Sequence, residues 1–114
     1  MKQFFAGLVG SLALAGLAQA GELQLSVSND MHHVDRNLYV SATSTEGGNP
    51  VVHDQIEMAI GMDGMGFTRR LTKPTNSEGV GQIKLVPRTV QTINVCAVSV
   101  KTGAFMTLSI DIVP

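Results

Sequence analysis

The chain has 114 residues, 44% of them hydrophobic and 15% charged, with eight basic residues against nine acidic ones. That balance offers no cationic field to hold a phosphate backbone, so nucleic acid is excluded as a partner class. A single cysteine, Cys96, rules out an internal disulfide and leaves the fold to stand on its hydrophobic core.

Residues 1–20, MKQFFAGLVGSLALAGLAQA, place Lys2 before an apolar run from Phe4 to Leu17 and end in Ala18-Gln19-Ala20. A basic start, an apolar stretch and a small-x-small ending predict a secretory signal peptide cut before Gly21. The run is too short and too rich in glycine for the ~20 residues of a membrane anchor. No cysteine follows the cut to carry a lipid. The expected product is residues 21–114, periplasmic or secreted, with no membrane insertion after cleavage. It fits one domain, which buries only ~60–65% of its unfolded surface.

Beyond Gly21 the pattern has period two almost throughout, which predicts strands. Leu23, Leu25 and Val27 alternate with polar neighbours, as do Leu38, Val40 and Ala42, then Ile56, Met58 and Ile60. A shorter strand spans about 66–71, where Arg69 and Arg70 mark a charged edge. Ile83 and Leu85 mark a fifth strand, residues 91–100 a sixth rich in β-branched side chains, and Phe105–Val113 a seventh. Turn residues separate them at Glu46–Pro50, Gly61–Gly66, Lys73–Gly79 and Lys101–Gly103, the last closing a hairpin. Seven strands with turn signals every 8–15 residues and no helical period predict an all-β sandwich.

The groups able to carry chemistry are few. No Gly-x-Ser-x-Gly turn occurs, and no Ser, His and Asp stand where a triad would place them, so the chain is not expected to be an enzyme. Met62 and Met65 lie on the Gly-rich turn, and His32-His33 precede the second strand. Thioether and imidazole donors suit copper, so His32, His33, Met62 and Met65 form the candidate metal set. Neighbours on an extended segment point to opposite sides, so one of the two histidines would join it. Met58 shares the alternating face of Ile56 and Ile60 and is expected in the core. His53-Asp54 reads as a ring-orienting pair if a metal is near, and Cys96 as a buried thiol in a central strand.

The order Asn37–Ser44, then Gly48-Asn49-Pro50-Val51 before Ile56-Glu57-Met58, then Asn76–Leu85 and Thr92–Ala97, resembles the bacterial immunoglobulin-like domains of group 1. That resemblance implies a seven-stranded immunoglobulin-like β-sandwich. The turn Met58–Gly66, with its methionines and glycines, is similar to that of small exported YtkA-like domains found in copper-associated settings. The β pattern, the signal peptide and the absence of catalytic groups point to an exported, non-enzymatic immunoglobulin-like binding or accessory module for an envelope or secreted protein partner. The alternative is a periplasmic copper-binding protein with no other cofactor.

Overall fold

The computed structural model describes residues 21–28 and 32–114. The expected signal peptide, residues 1–20, and Met31 lie outside the described residues. The described chain is all β: β1 (Gly21–Val27), β2 (His32–His33), β3 (Leu38–Glu46), β4 (Asn49–Pro50), β5 (Ile56–Gly61), β6 (Phe67–Leu71), β7 (Val80–Leu85), β8 (Gln91–Ser99) and β9 (Phe105–Val113). Two two-residue strands, β2 and β4, bring the count to nine where seven were expected.

The strands form two sheets. In one, β3 pairs with β1 along one edge and with β7 and β4 along the other. In the second, the order is β2-β9-β8-β5-β6, antiparallel except for the parallel pairing of β2 with the end of β9. The chain crosses between sheets after β1, so β1 belongs to one sheet and β2 to the other.

The alternation in each strand supplies the core. Leu38, Val40 and Ala42 of β3 face Ile56, Met58 and Ile60 of β5 and Ile93, Val95 and Ala97 of β8, all buried. Arg69 and Arg70 lie on β6 at the sheet's edge, and every residue of β6 is exposed. Charge on such a strand opposes pairing with another chain.

The period-two pattern places Cys96 on the opposite side from its expected one. Ile93, Val95 and Ala97 point inward, so Asn94, Cys96 and Val98 point to solvent. β-Branched and small residues occupy both faces of β8, and the phase is set by Ile93 and Val95 packing on β5 rather than by the apolar run.

Candidate functional site

The candidate metal donors lie at one end of the sandwich. Gln91 of β8, Ile112 of β9 and His32 of β2 share one row across the second sheet. Gln91 exchanges hydrogen bonds with Asp63, its Nε2 donating to Oδ1 and its Oε1 accepting from the backbone N–H. Asp63 follows Met62 directly, so the Gly-rich turn meets the β2 end of the sheet. Arg88 ties the loops further, its backbone N–H donating to Asp63 and its guanidinium reaching Asp35. Asp35 and Asp63 both hold positive φ angles, 62° and 59°, a conformation that a short polar side chain tolerates.

The four donors at this end divide between the core and the surface. His32 takes the inward face of buried Ile112, and its Nε2 is buried without a hydrogen-bond partner. His33 points the other way, with Nδ1 2.8 Å from the Pro114 carbonyl oxygen. Met62 packs against the core, whereas Met65 stands 78% exposed. Among the described residues, no three His, Cys, Asp or Glu side chains are grouped to hold a metal ion.

Asp54 lies at the opposite end and serves a different purpose from orienting a histidine ring. It is fully buried, while the neighbouring His53 is exposed at a φ of 58°. Its Oδ2 accepts from the Ser44 hydroxyl of the first sheet and from the Ser99 hydroxyl of the second. Its Oδ1 accepts from the Lys101 backbone N–H. Burial pushes the carboxyl pKa up, but the hydrogen bonds from Ser99, Lys101, Ser44 and Gln55 outweigh it and hold the value below the ordinary one. Buried Thr75 completes the cluster by accepting from the Asp54 backbone N–H and donating to the Val51 carbonyl. The sequence gives no sign of this cluster, because its members are ordinary turn and strand residues whose burial only the tertiary fold decides.

Beside that end the two sheets gape. Gly21–Gln24 of β1 and Gly103–Met106 of the β8–β9 hairpin line a groove of about 500 Å³. Along β9 the inward residues emerge progressively from the core: Ile112 is 2% exposed, Ile110 3%, Leu108 half-buried and Met106 41%. β2 pairs only with Ile112 and Val113, so among the described residues no strand pairs with that edge of β9 from Phe105 to Asp111.

No family model matches the chain, and no curated protein matches it. Among solved structures it is similar to a superoxide reductase (neelaredoxin) from Ignicoccus hospitalis. The two share 12% identity and a TM-score of 0.54 over 84% of this chain and 83% of that one. The likeness concerns the fold alone.

That finding corrects the expected kinship. The solved neighbour is neither a group 1 immunoglobulin-like domain nor a YtkA-like domain. Turn-plus-strand elements such as Gly48-Asn49-Pro50 mark corners that antiparallel sandwiches of many kinds require. The reading as a non-enzymatic immunoglobulin-like module is corrected with it, since an oxidoreductase uses the same fold. The copper alternative, with His32, His33, Met62 and Met65 as ligands, is not shown: His32 and Met62 turn toward the core, whereas His33 and Met65 face solvent.

At 12% identity the neighbour's reaction is not carried over to this chain. The thiol and the inward imidazole of this chain stand on different faces and rows. Cys96 pairs with Thr107 of β9 and faces outward, whereas His32 pairs with Ile112 and faces inward. Five residues of extended strand, roughly 17 Å, separate those rows.

Proposed function

We propose that this domain holds an extended segment of a protein partner along the free part of β9, in the corner between β9 and β1. The observation that carries this reading is the graded emergence of the inward face of β9, which ends at a half-exposed Met106 beside an open groove. A strand added there takes main-chain hydrogen bonds from the β9 edge and buries alternate apolar side chains against Met106 and Leu23. Glu22 at the mouth of the groove favours a basic residue on the incoming segment.

The contrast with β6 supports the same edge. β6 carries Arg69 and Arg70 among five residues, while Asp111 is the one charge among the nine of β9. An edge with a single charge at its far end and no proline is open to pairing. Residues 1–20 point to an envelope or secreted protein as the partner class.

Selection from a displayed library of random ten-residue peptides tests the reading. Enrichment of sequences that alternate apolar with polar residues, whose binding is lost in Met106→Lys, supports it. Absence of enrichment, or selected peptides that bind Met106→Lys unchanged, overturns it.

A further inference from the structure

The outward face of the second sheet differs in kind from that of the first. The first presents Glu22, Gln24, Gln82 and Lys84 to solvent. The second presents rows fixed by its register: Phe105, Val98, Glu57 and Leu71 in one, then Thr107, Cys96, Ala59 and Arg69 in the next. A third row ends in Gly61 and Phe67. Phe105 is 74% exposed, Phe67 63% and Leu71 52%. The ionised groups of the two named rows, Glu57 and Arg69, engage each other.

Strands lie ~4.8 Å apart and successive outward residues ~6.8 Å apart, so three rows across four strands make a nearly square patch, about 14 Å on each side. Phe105 and Phe67 occupy opposite corners, with small Cys96 and Ala59 at the centre. We propose that this face is the interface of a symmetric dimer of the chain, around a two-fold axis running along the diagonal from Leu71 to Ser109. Reflection of the patch across that diagonal sets Phe105 of one copy over Phe67 of the other and Glu57 over Arg69. Each contact occurs twice, as an isologous interface demands. Leu71 meets its own counterpart on the axis, and Cys96 lies within a few Å of it.

Charge complementarity therefore selects a second copy as the occupant: opposite ions face each other and no like charges do. Four strands of this length present a flat area on the order of 500–600 Å², below the ~800 Å² per partner of a standard interface. The dimer is accordingly reversible. It uses the outward face of the sheet, whereas the groove beside Met106 opens on the inward one, so the two readings stand or fall separately.

Sedimentation equilibrium from micromolar to millimolar protein tests the proposal with variants at exposed Leu71. The wild-type chain is expected to dimerise, and Leu71→Lys and Leu71→Glu each to remain monomeric with unchanged circular dichroism. An equimolar mixture of the two variants should dimerise again, since opposite charges then meet on the axis. A short bismaleimide, which adds one thiol at each end, should join Cys96 to Cys96 in the wild type and not in Leu71→Lys alone. A wild-type chain monomeric throughout the range overturns the proposal, as does a Leu71→Lys variant that dimerises like the wild type.

Discussion

Ser44 and Ser99, from opposite sheets, donate their hydroxyl protons to the same carboxylate oxygen of Asp54. One buried anion thus ties the two layers together at the end where the chain turns through Lys101. Truncation of that carboxylate leaves two hydroxyls and a backbone N–H with no acceptor in a buried place. Asp54→Ala is expected to lower the unfolding free energy by about 3 kcal/mol, because each unsatisfied buried group costs about 1–3 kcal/mol. Asp54→Asn keeps an acceptor for the Lys101 N–H and should cost less. Urea unfolding followed by circular dichroism gives both values, and an alanine variant as stable as wild type would remove the carboxylate from its structural role.

The same carboxylate makes stability depend on pH in a defined direction. Its folded pKa lies below the unfolded value of ~3.9, so the folded state binds fewer protons and stability from Asp54 is fully present above that value. Stability is lost as pH falls through the depressed folded pKa. The urea midpoint of the wild-type chain should therefore fall more steeply below about pH 4 than that of Asp54→Asn. Parallel curves for the two proteins in acid would show that other carboxylates govern acid unfolding.

Gly79 is held in a place no side chain fits. Its φ is +78°, and a Cβ there would stand 2.5 Å from the Ser44 backbone oxygen and 3.3 Å from Pro50. The close approach lets the Gly79 carbonyl accept the Ser44 N–H at 2.8 Å, beside the Asp54 cluster. Gly103 has the same φ of +78° with nothing within 4 Å of the added atom. Gly103→Ala should cost about 1 kcal/mol, the left-handed penalty alone. Gly79→Ala should cost about 3 kcal/mol, since backbone must also move. Equal losses in thermal unfolding of the two variants would show that the contact with β3 carries no penalty of its own.

The alternation of small sets such as Leu38, Val40 and Ala42 made the strands and the core legible without coordinates. The hairpin at Lys101–Gly103 and the edge position of Arg69 and Arg70 were legible for the same reason: turn chemistry and charge act locally. What was hidden depends on which distant segment arrives. His32-His33 becomes a strand only because the end of β9 lies beside it, and the serines and threonines around Asp54 become a buried cluster only when both sheets close. The groove at Met106 reflects where β1 stops covering β9, which no periodicity encodes.

Cys96 shows the limit of alternation within a uniformly apolar run, and it supplies the last test. Ala59 and Thr107 flank it on neighbouring strands, both small, so the sulfur stands open on the outer face. In dilute native protein, where a reversible dimer dissociates, one thiol per chain should react with an aromatic disulfide reagent at the rate of a small-molecule thiol. Denaturant should raise that rate little. A thiol that reacts only after unfolding would reverse the phase of β8, moving Cys96 inward and Val95 and Ala97 out. Because a one-residue slip exchanges the faces of the whole strand, the same result would expose Ile93 and dismantle the contact between β8 and β5. Thiol titration therefore tests the register of the central strand as well as the exposure of one side chain.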